Sequence, residues 1–233
     1  MSELLSTEHL VSLVAVAMAT AGLVVGARRW GAGPWLRVFA LVLLADEVSW
    51  WIYLASGGGL PGERAQPLPL QLCDVAILVT AAALWTRRPL LVELAYFWGL
   101  AGTIQALLTP DLPYHFPNYP YFQYYVAHGG VVAAALVLVV GLKIQPRPWS
   151  VVRIAALTIA YTASVGLVDA VTGADYMYLR AKPASATLLD VLGPWPWYLL
   201  SATGIGIVFL AVLDAPFRLR IAALRTVPPT PLR

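Results

Sequence analysis

Twelve of the fifteen Lys and Arg residues of this 233-residue chain fall in, or just beside, every second gap between seven apolar stretches. Arg28, Arg29 and Arg37 follow the first stretch, Arg87 and Arg88 the third, Lys143, Arg147 and Arg153 the fifth, and Arg218, Arg220, Arg225 and Arg233 the seventh. The other gaps hold Arg64, Arg180 and Lys182. This is the positive-inside pattern of a polytopic membrane protein, with the N-terminus outside and the C-terminus in the cytoplasm. It gives every helix a direction, and direction turns sequence position into depth.

The composition agrees. The chain is 60% hydrophobic and 12% charged, against roughly 25% charged for a soluble domain. The net charge of +3 is no nucleic-acid signal, because the basic residues flank helices at one face, where they meet anionic lipid. Membrane lipids are therefore the expected partners, with no nucleic acid. One cysteine, Cys73, excludes an intrachain disulfide and a multi-cysteine metal site. Glu3 and Glu8, not basic residues, precede the first stretch, so it is expected to stay as a helix rather than act as a cleaved signal.

The expected fold is an all-α, seven-transmembrane-helix bundle forming one domain over 1–217, with a short basic cytoplasmic tail over 218–233. The spans read as 9–27, 34–55, 67–86, 89–109, 120–142, 150–172 and 194–213, each near the ~20 residues that cross a bilayer. Proline opens five of them, at Pro34, Pro67, Pro89, Pro120 and Pro194, where a missing N–H costs no helical bond. Aromatic residues gather at the outer ends: Trp50, Trp51 and Tyr53; Tyr121, Tyr124 and Tyr125; Trp195, Trp197 and Tyr198. Most of them read as an interfacial belt. Gly99 with Gly102, and Gly204 with Gly206, read as close helix packing.

Depth gathers the polar groups into one leaflet. Asp46 and Glu47 on the second span, Gln71, Cys73 and Asp74 on the third, Gln105 on the fourth, Gln123, Tyr124 and His128 on the fifth and Asp169 on the sixth all fall in the outer half. At ~1.5 Å per residue, Glu47, Cys73, Asp74 and His128 lie roughly 5–15 Å below the surface. Glu93 and Asp214 lie at the inner face, beside Arg87–Arg88 and Arg218. Intramembrane charge is costly, ~2.5–3.5 kcal/mol or more for Asp, so the outer set suggests a shared polar cavity. The competing reading is a hydrogen-bonded network that holds helices together.

Cys73 is the single thiol and His128 the deeply placed histidine, whereas His9 and His115 sit near interfaces. A thiol and an imidazole are the minimal nucleophile and base for acyl transfer. Glu47 or Asp169 would orient the imidazole, and Gln71 and Gln105 would donate to an oxyanion. The plain alternative is that Cys73 is a small packing residue. No HxxxH or HExxH spacing supports a metal, and no cofactor is required.

Leu68-Pro69-Leu70-Gln71-Leu72-Cys73-Asp74 resembles the LPLHLCD segment of the YwaF-like bacterial integral membrane proteins. So do Gly102–Gln105 with Thr109-Pro110-Asp111, Phe116-Pro117 with Tyr121–Gly129, Asp175–Leu179 with Lys182-Pro183, and above all Leu188–Tyr198. The similarity runs from about residue 35 to 215. It implies a multi-pass protein of the bacterial plasma membrane. Gln71 departs from the family's usual His, which weakens any mechanism needing a second deep histidine. The family is remotely similar to animal transmembrane lysophospholipid acyltransferases with an active-site cysteine and histidine, to which Cys73 and His128 would answer. The resulting expectation is a lipid acyltransferase or acyl-ester hydrolase with Cys73, His128, Glu47 and Asp169 as catalytic groups. Gln71, Asp74, Gln105, Asp46, Gln123 and Tyr124 would bind substrate. The alternatives are a proton-coupled carrier or small-molecule-binding membrane protein, using the same acids as a relay, and a non-catalytic scaffold.

Overall fold

The computed structural model describes residues 6–110, 112–182 and 188–225. Asp111 and Pro183 of the resembling stretches, Glu3, and the tail from 226 to Arg233 lie outside the described residues. Among the described residues the chain is helical, without strands. The long helices are α1 (Thr7–Trp30), α2 (Pro34–Ala55), α3 (Leu72–Thr86), α4 (Pro89–Leu108), α5 (Tyr119–Gly141), α6 (Ser150–Thr172) and α7 (Trp197–Arg225). A π-helical turn, Gly99–Thr103, interrupts α4, and another, Val137–Gly141, ends α5. One-turn helices, Pro61–Arg64, Tyr176–Tyr178 and Leu188–Leu192, decorate the connections at the arginine-poor end.

Six of these helices, all but α3, are long and apolar enough to cross a membrane. The chain is a multi-pass membrane protein. Its outer surface requires lipid: Val11, Met18, Ile52, Leu167, Val171 and Leu200 are all largely exposed. Helices α4 and α5 form the centre, with 56% and 67% of their most apolar 18 residues buried, against 11–17% for the other spans. Small residues let the backbones approach there. Ala81, Ala83, Ala95, Ala127 and Ala134 are buried in one cluster with Leu84, Phe97 and Leu138.

Helix starts explain the main departures from the sequence expectation. Pro34 and Pro89 do open α2 and α4, and Pro120 lies in the first turn of α5. Pro67 does not open α3. The segment from Pro67 to Gln71 is bent, and the helix begins at Leu72 with Gln71 as N-cap. Pro67 and Pro69 lack N–H groups and keep the residues before them extended. The 15 residues of α3 span ~22 Å, short of the ~30 Å hydrocarbon core. Pro194 likewise lies before α7, which starts at Trp197 and runs past Leu213 and the internal Pro216 to Arg225.

Several aromatic residues expected in an interfacial belt are packed inside. Tyr121, Tyr125 and Tyr198 are buried. The Tyr121 hydroxyl donates to the Glu8 carbonyl and pairs with the Ser12 hydroxyl at 2.7 Å, and the Tyr125 hydroxyl meets Nδ1 of the buried His9 at 2.7 Å. These bonds fasten α1 to α5. Trp195 and Trp197 do remain exposed. Gly99 packs as expected, its Cβ position 3.2 Å from Val131. Gly204 and Gly206 do not, for nothing lies within 4 Å of theirs.

The arginine-rich end is tied by ion pairs. Glu93 is not paired with Arg87–Arg88. Its carboxylate accepts from the backbone and side chain of Arg147 at 2.8–3.1 Å and from Arg153 at 2.7 Å. Asp214 does pair with Arg218, at 2.7 Å, and also accepts from Ser150 at 2.9 Å. The loop before α6 is thereby bound to α4, and α6 to α7.

Candidate functional site

A cavity of about 180 Å³ opens between α2, α3, α5 and the connection before α5, at the arginine-poor end. Helix periodicity supplies its walls. Glu47 and Trp50 are one turn apart on α2, and Cys73, Asp74 and Ile77 share one face of α3. Gln123, Tyr124, Ala127 and His128 share a face of α5. Glu63 and Leu112–Tyr114 close the rim.

Cys73 and His128 therefore face one space. The His128 ring is oriented by its own helix: Nδ1 lies 2.8 Å from the Tyr124 carbonyl. A carbonyl only accepts, so Nδ1 carries the proton and Nε2 is left as the acceptor nitrogen. The Tyr124 ring lies against the imidazole, centroids 4.1 Å apart, and its hydroxyl donates to the Ala106 carbonyl at 2.7 Å. Cys73 is the second residue of α3. The first helical bond of α3 runs from Val75 N to Gln71 O, so the N–H groups of Leu72, Cys73 and Asp74 precede the helical ladder.

Glu47 is 1% exposed, and its Oε1 has no hydrogen-bond partner. Asp46 accepts from Gln123 at 3.3 Å and lies just behind the wall. Glu63 accepts from the Tyr114 hydroxyl at 2.8 Å and from Leu60 N. Burial first, and then this carboxylate, push the Tyr114 phenol up to about 12.

Three expected members of the site stand elsewhere. Asp169 is fully buried, but it accepts from Tyr176 N at 3.0 Å and holds the turn after α6. Gln71 donates to Gln66 at 3.0 Å and accepts from Met177 N at 2.9 Å, so it ties the approach to α3 to that same turn. Gln105 is exposed and lines no part of the cavity. Depth gave these residues the right height, but their helices point them to other sides. Glu63, Trp50 and Tyr114 are the residues sequence reasoning missed. Glu63 and Tyr114 lie in the connections, where a depth argument has no purchase, and Trp50, on α2, reads from its depth as part of the interfacial belt. The signal available was the lone acid Glu63 in the Gly-rich connection. Among the described residues, no three His, Cys, Asp or Glu side chains are grouped to hold a metal ion.

Two larger apolar grooves flank the cavity. One, of about 650 Å³, lies between α1, α2 and α5. The other, of about 550 Å³, lies between α4, α6 and α7 and begins at Leu72, the neighbour of Cys73.

The TMEM164 family model matches residues 4–214. The chain belongs to the TMEM164 family. The match takes in the whole cavity and most of α7, so the Cys73–His128 wall lies wholly inside the family's domain. No curated protein and no solved structure matches the chain.

Proposed function

We propose that this member of the TMEM164 family transfers or hydrolyses lipid acyl esters, with Cys73 as nucleophile and His128 as base. The observation that carries the reading is the shared cavity: thiol and imidazole face one space, with the imidazole Nδ1 held by the Tyr124 carbonyl. In the proposed cycle the Cys73 Sγ attacks the ester carbonyl carbon, and its proton passes to His128 Nε2. The tetrahedral oxyanion is met by N–H groups of the first turn of α3, in place of Gln71 and Gln105. Collapse breaks the ester C–O bond, and Nε2 returns the proton to the leaving alcohol. A second lipid alcohol, or water, then attacks the thioester. It gives its proton to Nε2 and releases the Cys73 thiolate, which recovers that proton. The Tyr124 carbonyl takes the orienting part assigned to Glu47 or Asp169.

The wider setting is part of the proposal. The similarity to YwaF-like proteins and the arginine alternation support a bacterial plasma-membrane protein crossing seven times, N-terminus outside, with the short α3 counted as a span. The cavity then faces the outer leaflet, and the groove beginning at Leu72 takes the acyl chain. A carrier needs polar partners continuing inward, but the acids there are engaged: Glu93 by Arg147 and Arg153, Asp214 by Arg218 and Ser150.

The test is purified protein in nanodiscs with mixed lysophospholipids and phospholipids, read by mass spectrometry. Cys73→Ser, of nearly equal volume, is expected to lose turnover while keeping its melting temperature. Unchanged turnover would make the thiol structural and end this reading.

A further inference from the structure

The cavity is unbalanced in charge. Glu47, Glu63 and Asp74 line it, and among the described residues no Lys or Arg does. Arg64, beside Glu63, turns away to the carbonyls of Gly57 and Gly59 at 2.6 and 3.1 Å. His128 is a titratable imidazole and supplies no permanent counter-charge. Glu47 is the sharpest case. It is 1% exposed, it lines the cavity, and its Oε1 has no partner. A buried carboxylate oxygen without a donor is costly and is kept where a ligand completes it.

The remaining wall narrows the ligand. Trp50, Tyr114 and Tyr124 bring aromatic rings to the same space. Aromatic faces beside carboxylates are the surroundings that a soft organic cation prefers, the rings through their quadrupole and the acid through its charge. A bare divalent ion is ill served, because among the described residues no three acidic, thiol or imidazole groups converge to ligate one.

We infer that this cavity is a binding site for an organic ammonium group, with Glu47 as its counter-ion and Trp50 and Tyr124 as its aromatic walls. The group comes either from the headgroup of an amine-bearing lipid or from a free water-soluble ammonium compound. The inference goes beyond acyl transfer and does not require it, since the site binds its cation whether or not Cys73 reacts.

The experiment uses purified full-length protein in phosphatidylglycerol nanodiscs, which carry no amine, titrated with choline by calorimetry. The comparison ligand is 3,3-dimethylbutan-1-ol, the neutral carbon isostere of choline. Choline is expected to bind saturably and the isostere not to. Glu47→Gln is expected to weaken choline by roughly tenfold or more, and Trp50→Leu by about threefold. Equal binding of the isostere, or no saturable choline binding, overturns the inference on wild-type protein alone, so a poorly folding variant does not protect it. Undiminished binding by folded Glu47→Gln overturns it too. Nanodiscs containing phosphatidylcholine separate the sources. Loss of choline binding there supports a lipid headgroup, and unchanged binding supports a free ammonium compound. Because no turnover is measured, failure of the acyl-transfer reading leaves this result readable.

Discussion

His128 Nδ1 donates to the carbonyl of Tyr124, one turn earlier on the same helix, at 2.8 Å, and the Tyr124 ring lies against the imidazole. One residue thus sets both the tautomer and the tilt of the other. In the proposed chemistry this replaces the carboxylate that orients histidine in many triads. His128→Ala is expected to lower turnover by ~10²–10⁴-fold, the range for losing a general base. Tyr124→Ala keeps the carbonyl but removes the ring, and is expected to lower turnover less. Single-turnover assays of both variants rank the two contributions. Equal losses would mean that the ring, and not the base, is what the helix supplies.

Asp169→Asn is expected to leave turnover at the wild-type level. Asp169 serves the Tyr176 backbone away from the cavity, and the amide keeps an oxygen to accept that bond. The nanodisc assay checks it, and a loss matching that of His128→Ala would return Asp169 to the site.

The Glu63–Tyr114 bond gives an alkaline signature. The Tyr114 phenol is raised from its ordinary 10.0 to about 12, so the folded protein holds this proton more tightly than the unfolded chain. The associated stability is present below pH ~10 and is lost as pH rises toward about 12. Tyr114→Phe is expected to flatten this part of the profile, measured as melting temperature against pH. An unaltered slope would assign the alkaline loss to other groups.

Glu93→Ala strands two arginines at the arginine-rich end. The guanidinium groups of Arg147 and Arg153 keep solvent, with side chains 44% and 32% exposed. The expected loss is therefore about 2–3 kcal/mol, near the low end for a broken buried pair. Denaturation in detergent measures it, and a melting temperature equal to wild type would show the pair to be dispensable.

Two glycines of α5 should respond differently to alanine. A Cβ on Gly130 would meet the tip of Leu43 at 2.4 Å, and that side chain can swing aside. A Cβ on Gly141 would meet Ala27 Cβ at 2.7 Å and the Val24 carbonyl at 3.4 Å, neither of which can yield without moving α1. Gly141→Ala is expected to destabilise by ~1–3 kcal/mol and Gly130→Ala by less. Melting curves of the two variants decide the order.

The proposed topology is open to labelling in a Cys73→Ala background. Gly62→Cys has open space around its Cβ and is expected to react with an impermeant thiol reagent on intact cells, whereas Arg87→Cys is expected to stay protected. The reverse pattern would invert every helix.

Cys73 and His128 were legible because each is alone of its kind at depth, and a direction for each helix sufficed to set them at one height. Asp169, Gln71 and Gln105 share that height but not that side, and hydropathy carries no azimuth for a helix apolar all round. The late start of α3 was written in Pro67 and Pro69, yet a hydropathy window averages over such punctuation. Glu93 illustrates a third limit. Its nearest arginines in sequence, Arg87 and Arg88, are not its partners, because the loop carrying Arg147 comes back to it from 54 residues away.

The approach to Cys73 is held from far along the chain. Leu68 N donates to the Tyr176 hydroxyl and Gln71 accepts from Met177 N, across 108 and 106 residues. Synthesis runs N-terminal first, so α1 to α5 can be inserted and packed while these two bonds have no partners. The segment before the thiol acquires its final geometry after the connection beyond α6 has been made. The proposed reactive centre is thus among the last parts of the molecule to mature, and a nascent chain stopped before Tyr176 would carry the thiol without its finished setting.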